Sequence, residues 1–187
     1  DFARRNVAAW TAEIALGLDA IIITASGCGT TIKDYGYMLR DDPAWADKAA
    51  RVSALARDIT EFLADLDPLP RARESGQTIA YHSACSLQHG QKLHAQPKAL
   101  LQAAGFAVMD IPEGHLCCGS AGSYSLLQPE IADALRAKKL DAIRSTGADV
   151  IASANIGCLA HLSGELPAVH IAELLDWAQG GPKPKLD

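Results

Sequence analysis

Five cysteines are the residues of this 187-residue chain best suited to chemistry: Cys28, Cys85, Cys117, Cys118 and Cys158. The last four follow short apolar runs that predict β-strands, so they stand just beyond the carboxyl ends of three strands. In an open parallel sheet those ends share one edge, where ligands bind, and we therefore expect the four thiols to converge. Converging thiolates bind metal or carry out redox chemistry. The alternative for each cysteine alone is a small buried apolar residue.

Glycines accompany these thiols, with Gly119 and Gly122 beside the cysteine pair and Gly157 before the last cysteine. Glycine lets the backbone approach a bulky group and exposes amide N–H groups, which lower thiolate pKa values and hydrogen-bond to cluster sulfides. We therefore predict that Gly119 and Gly157 contact a bound cofactor. The segment Gly119–Ser123 (GSAGS) is alternatively a phosphate loop, although it lacks the lysine and the spacing of a P-loop.

The adjacency of Cys117 and Cys118 bears on which cofactor the thiols hold. Mononuclear zinc usually takes cysteines two residues apart, and neighbouring residues chelate one small ion awkwardly. An iron–sulfur cluster has several iron atoms to share among its thiolates and suits an adjacent pair better. We therefore favour an iron–sulfur cluster and keep zinc as the alternative metal. A thiol–disulfide enzyme that uses this pair is a third hypothesis.

Composition places the chain among ordinary globular proteins: 49% of its residues are hydrophobic and 21% are charged. A net charge of −5, with no cluster of Lys and Arg, argues against nucleic acid as a partner. The longest strongly apolar uncharged stretch, Ala20–Ile32, has 13 residues where a bilayer needs about 20, which argues against a membrane span. Clustered, odd-numbered cysteines without a secretory signal predict a reducing, cytoplasmic environment.

The elements that must position the thiols alternate between strand and helix. The predicted strands are Asp19–Thr24, Thr78–His82, Phe106–Ile111, Asp149–Ser153 and Ala168–Ile171. Helices with short connections follow them, and this order predicts an α/β fold with a parallel sheet and helices on both faces. A long helix is predicted from Asp41-Asp42-Pro43 to Pro68, followed by a polar connector at Arg71–Gln77.

A repeat is visible within the chain, because Leu16–Cys28 aligns without gaps on Thr146–Cys158. We therefore predict two domains: residues 1–75 as the C-terminal part of a first repeat with a long connecting helix, and residues 76–187 as a complete second copy. The chain starts without Met, inside a predicted helix at Asp1–Leu16, and we interpret it as a fragment of a longer protein. The plainer alternative is that strand–turn segments of α/β chains look alike.

Four segments resemble a known family: TASGCGTT at 24–31, YHSAC at 81–85, HLCCGSAGSY at 115–124 and NIGC at 155–158. They are similar to the cysteine-rich CCG domain of heterodisulfide reductase, the cluster subunit of anaerobic glycerol-3-phosphate dehydrogenase, lactate-utilisation proteins and glycolate oxidase. The surroundings resemble most the iron–sulfur subunit of bacterial glycolate oxidase. The CCG signal is specific, and the choice among these oxidoreductases is less so.

The resemblance implies a Rossmann-like CCG domain that transfers electrons through an iron–sulfur cluster of the 4Fe-4S type. Cys85, Cys117, Cys118 and Cys158 carry over as its ligands. The implied partner is a flavin-containing subunit that oxidises glycolate to glyoxylate, so the fragment alone is expected to be inactive. The implied location is cytoplasmic, peripheral at the inner membrane through the complex. A zinc-binding structural CCG module stays the alternative.

Two departures from the family pattern add weaker candidate ligands. The pattern often ends C-x-x-C, whereas His161 stands three residues after Cys158 and is a substitute ligand or a surface residue. Cys28 lacks the other thiols of its own repeat, and Thr31 follows it at the corresponding place. His82 is a candidate to donate a hydrogen bond to a ligand sulfur, or an ordinary residue at a strand end.

Overall fold

The structure is a computed structural model that describes residues 1–66 and 76–186. Its helices are α1 Phe2–Ala15, α2 Ser26–Lys33, α3 Tyr35–Met38, α4 Ala46–Leu55, α5 Ile59–Ala64, α6 Gln96–Ala103, α7 Tyr124–Leu127, α8 Pro129–Arg144, α9 Ile156–Leu162 and α10 Ile171–Ala178. Its strands are β1 Ile21–Ile23, β2 Ala56–Asp58, β3 Thr78–Tyr81, β4 Ala107–Met109, β5 Val150–Ser153 and β6 Ala168–His170. A π-helical turn covers Ser86–Gly90.

The larger sheet has four parallel strands in the order β4-β3-β5-β6. Helices cover the faces of a parallel sheet, so its central strands are buried and consist of uncharged residues. The central strands β3 and β5 accordingly have the sequences TIAY and VIAS. Ile79 and Ile151 from these strands share one core with Leu140 of α8 and Leu174 of α10. The predicted α/β fold with a parallel sheet flanked by helices is confirmed.

The predicted long helix after Pro43 is wrong, because the structure divides this segment into α4, β2 and α5. Ala56–Asp58 pairs in parallel with β1 to form a second, two-stranded sheet. Asp58 then starts α5 with a capping box, in which its carboxylate accepts from the backbone of this first turn and Glu61 reaches back to the Asp58 N–H. The D-x-x-E spacing was the sequence signal for this break.

The structural repeat extends further than the sequence repeat. The elements β1, α2, β2 and α5 correspond to β5, α9, β6 and α10, with α3 and α4 as an addition between α2 and β2. The strands pair in parallel in both halves, and a capping box starts both α5 and α10. Cys28 and Cys158 are each the third residue of the helix that follows the first strand. The predicted division into domains 1–75 and 76–187 stays a prediction.

Two remaining sequence expectations concern the connector and the membrane. Most of the predicted connector, Arg71–Gln77, lies outside the described residues, together with the predicted helix end at Pro68. Within the ranges 1–66 and 76–186, none of the helices has the length and apolar character that crossing a bilayer requires.

Candidate metal centre

The four thiols predicted to converge all follow the carboxyl ends of neighbouring parallel strands. Cys85 directly precedes the π-helical turn after β3, and Cys158 lies on α9 after β5. Cys117 and Cys118 lie in the loop between β4 and α7. Since β3 stands between β4 and β5 in the sheet, the three loops are adjacent along one edge.

The centre of this edge is formed by His82, Cys118 and Cys158, which are all buried. One ligand atom from each residue lies within 4.8 Å of the others, and the two Sγ atoms are 3.3 Å apart. The backbone N–H of His82 donates to the Ala152 carbonyl at 2.8 Å, which extends the pairing of β3 with β5 and holds the imidazole beside the sulfurs. Neither ring nitrogen of His82 has a hydrogen-bond partner among the described residues.

Cys85 and Cys117 lie outside this tight group. Cys85 is exposed and Cys117 is half-buried, so they stand toward the surface, whereas Cys118 and Cys158 lie in the interior. Both outer thiols are still close enough to act electrostatically on Cys158. The structure therefore brings two thiols into contact and leaves two nearby.

The cysteine-pair loop directs backbone amides at its own sulfurs. The N–H of Gly119 donates to Cys117 Sγ at 3.4 Å, and the N–H of Ser120 donates to Cys118 Sγ at 3.5 Å. Gly119 adopts a φ of +97°, which L side chains rarely adopt. A Cβ at this position would lie 2.4 Å from the Ala132 carbonyl oxygen on α8, so close packing against α8 also requires glycine.

The contact between the two buried thiols shifts their pKa values in opposite directions. The hydrogen bond with Cys158 lowers the pKa of Cys118 against the opposing effect of burial, and the His82 imidazole and the Ser120 amide lower it further. The same contact, together with burial, raises the pKa of Cys158. Burial also raises the pKa of Cys117. The arrangement therefore favours a thiolate at Cys118, which is the form that binds metal.

The part of the chain that carries the thiols is similar to a known protein family. A model of the cysteine-rich domain CCG matches residues 79–163, a range that contains the four thiols and His82. Lactate utilization protein A of Bacillus cereus (strain G9842) is 32% identical over 83% of the chain and 69% of the relative. The chain belongs to the cysteine-rich CCG-domain family.

Two further relatives match this chain over part of their own length. The glycolate oxidase iron-sulfur subunit of Escherichia coli (strain K12) is 44% identical over 94% of the chain and 44% of the relative. The probable glycolate oxidase iron-sulfur subunit of Bacillus subtilis (strain 168) is 33% identical over 96% of the chain and 43% of the relative. The chain therefore spans less than half the length of these two relatives.

The two weaker candidate ligands, His161 and Cys28, lie outside the buried group of His82, Cys118 and Cys158. His161 Nε2 is 3.3 Å from the Ala132 carbonyl, and His161 does not join the tight group, whereas His82 does. Cys28 is exposed on α2. A Cβ on Gly157 would lie 3.1 Å from Asn155 Oδ1 and from Ser120 Oγ, so this glycine permits close approach of two loops at the site. Contact of Gly119 or Gly157 with a cofactor stays a prediction.

Asn155 belongs to the NIGC segment, but the sequence did not indicate its structural role at the site. Its side-chain oxygen caps α9 by accepting from the Cys158 N–H at 3.1 Å, and its amide donates to Ser26 Oγ at 2.9 Å. The Ser26 N–H in turn donates to the Ala154 carbonyl at 3.1 Å. Asn155 therefore fixes the backbone of Cys158 and connects the start of α9 to α2, the helix that follows the first strand of the smaller sheet. Its place as an N-cap residue before a helix was the available signal.

Replacing Asn155 with alanine is expected to lower the free energy of unfolding by about 1–2 kcal/mol, because the helix loses its cap and Ser26 loses a partner. Urea denaturation of the metal-free protein measures this loss. Asn155→Asp is the matched control, since a carboxylate keeps the cap acceptor but cannot donate to Ser26. A loss for Asn155→Ala below about 0.5 kcal/mol, the range of neutral surface changes, would contradict the assignment.

Proposed function

We propose that this CCG protein is an electron-transfer component of a glycolate oxidase, with an iron–sulfur cluster held at Cys85, Cys117, Cys118 and Cys158. The observation that carries the proposal is the convergence of these cysteines, with Cys118 and Cys158 in buried contact, at one edge of a parallel sheet. The 44% identity to a glycolate oxidase iron-sulfur subunit supports the choice of reaction.

The spread of the thiols supports a cluster with several iron atoms. Four thiolates around a single zinc ion, at Zn–S distances of about 2.3 Å, would place their sulfurs about 3.8 Å apart. Cys118 and Cys158 are already closer than this, at 3.3 Å, whereas Cys85 and Cys117 do not join the 4.8 Å group. A cluster of the 4Fe-4S type spreads its ligands over several iron atoms and accommodates such a set.

The surrounding residues suit a negatively charged, electron-carrying group. One-electron transfer is the chemistry that a bound cluster supplies. The amides of Gly119 and Ser120 donate to ligand sulfurs and stabilise negative charge there. The unpartnered ring nitrogens of buried His82 leave a donor or ligand available to the same group. Exposure of Cys85 leaves one side of the site open, where an electron donor or acceptor can approach.

The partner in this proposal is a flavin-containing subunit that oxidises glycolate to glyoxylate and passes the electrons to this protein. We expect the chain alone to leave glycolate unreacted. We also propose a cytoplasmic location, peripheral at the inner membrane through the complex. The five free cysteines support a reducing compartment.

Metal analysis tests the proposal directly. The protein is purified anaerobically, and iron, acid-labile sulfide and zinc are measured together with the visible spectrum. We expect about four iron and four sulfide per chain and broad visible absorbance. Colourless protein with one zinc per chain, or protein that stays metal-free after anaerobic reconstitution with iron and sulfide, would contradict the proposal.

Zinc is the second candidate, because His82, Cys118 and Cys158 alone form a group of suitable size for one ion. The variant His82→Ala separates the two metals. If zinc is the resident metal, the variant loses a ligand and its affinity for zinc falls at least about tenfold. If four thiolates hold a cluster, the variant keeps its iron.

A further inference from the structure

Lys139 is a buried cation close to the metal centre. It lies on α8 with only 1% of its surface exposed, and its ammonium donates to the Glu113 backbone carbonyl at 3.1 Å. Among the described residues it forms no ion pair with a carboxylate. Its neighbour Lys138 is exposed and pairs with the Glu113 carboxylate at 3.3 Å. Burying an unpaired ammonium is costly, so a compensating negative charge is expected nearby.

The charges that face Lys139 identify this compensation. Burial lowers the pKa of Lys139, and electrostatic interactions with Cys118, Cys117, Glu113 and Cys158 act in the opposite direction. Three of these four groups belong to the proposed ligand set. Lysine carries three N–H donors, and the bond to Glu113 uses one of them. Lys139 lies on the buried face of α8 together with Ala132, which packs against Gly119 of the cysteine-pair loop, and Leu140, which shares a core with Cys118 and Cys158. The buried ammonium therefore lies on the side of α8 that faces the thiols.

The same lysine also supports the loop that carries the cysteine pair. Glu113, which accepts its hydrogen bond, has a φ of +51°, a conformation that is strained for a residue with a side chain. This residue stands four positions before Cys117. A single side chain from α8 therefore contacts the backbone of the loop that leads to the cysteine pair.

We propose that Lys139 is the fixed counter-charge of the metal centre and sets its reduction potential, an inference that rests on the iron–sulfur function proposed above. A positive charge at fixed distance stabilises the reduced form of a cluster more than the oxidised form, because reduction adds one negative charge. Lys139 thereby favours reduction. Lys139 is not a ligand of the cluster and acts on it only through its positive charge.

The test compares the midpoint potentials of four proteins, measured by redox titration followed by electron paramagnetic resonance. Lys139→Met removes the charge and the hydrogen bond, and Lys139→Gln removes the charge but keeps a donor for Glu113. Lys138→Met is the matched control, since it removes an exposed charge from the next position of α8. We expect both Lys139 variants to lower the equilibrium constant for reduction about tenfold, or about 59 mV for one electron, with no change in Lys138→Met. Full iron content with an unchanged potential in both Lys139 variants would overturn the inference.

A second measurement keeps this inference separate from the proposed function. Lys139→Met and Cys118→Ala are combined in a double-mutant cycle, with unfolding by urea followed in the metal-free protein. Each variant changes the equilibrium constant for unfolding by some factor. If the buried ammonium compensates the thiolate, the factor for the double variant differs at least about fivefold from the product of the factors for the two single variants. Additive effects would overturn the inference. Absence of iron from the wild-type protein would overturn the proposed function and the effect on the reduction potential, whereas a coupled cycle would still support Lys139 as the counter-charge of Cys118.

Discussion

Cys158→Ala is expected to lower the iron content of the anaerobically reconstituted protein at least about tenfold. Cys158 is buried, its sulfur lies 3.3 Å from Cys118 Sγ, and its N–H is held by Asn155. Removing this sulfur takes away one of the two ligands whose sulfurs are in contact. Alanine occupies the site without strain because position 158 is an ordinary helical residue of α9. Iron, sulfide and visible absorbance per chain measure the loss.

The control for this variant is Cys28→Ala. Cys28 occupies the corresponding position of α2 in the structural repeat, but it is exposed and does not join the buried group. We expect Cys28→Ala to retain its iron in full. Circular dichroism must show the same helical content in both variants, so that a loss of iron reports on the ligand and not on the fold. Equal iron content in the two variants would refute the ligand assignment of Cys158.

Gly119→Ala is expected to be the most destabilising single change at the site, by about 3 kcal/mol or more. An alanine must adopt a φ of +97°, which costs about 1–3 kcal/mol. Its Cβ would also lie 2.4 Å from the carbonyl oxygen of Ala132, and displacing backbone of α8 adds about 1–3 kcal/mol. Urea denaturation of the metal-free protein measures the sum. The shift of the cysteine-pair loop should also weaken metal binding.

Gly122→Ala is the matched control because Gly122 lies in the same loop. Its φ is +63°, and nothing lies within 4 Å of a Cβ built there. Only backbone strain applies, and we expect a loss of about 1 kcal/mol. If Gly119→Ala and Gly122→Ala destabilise the protein equally, then packing against Ala132 contributes nothing and the role assigned to Gly119 is wrong.

The prediction of a long helix after Pro43 shows where pattern reading failed. Apolar residues from Val52 to Leu66 recur at helical spacing on both sides of a three-residue strand, so the periodicity continues across the break. What ends α4 is the pairing of Ala56–Asp58 with β1, a contact between segments more than 30 residues apart along the chain. A local pattern holds no information about such a partner. The Asp58–Glu61 capping box was the one local signal.

The alternation of strands with helices and the placement of the thiols were readable from sequence, because both follow from local rules. Short apolar runs alternating with helices give parallel strands, and parallel strands bring the cysteines that follow them to one edge. Adjacent cysteines followed by glycine further favoured a cluster over a single ion. The tertiary structure decided which groups lie deepest there: Cys118 and Cys158 in contact, His82 beside them and Lys139 on the buried face of α8. How deeply a side chain is buried, and which charged groups lie near it, depend on packing between segments that are distant along the chain. The sequence alone therefore does not show either property.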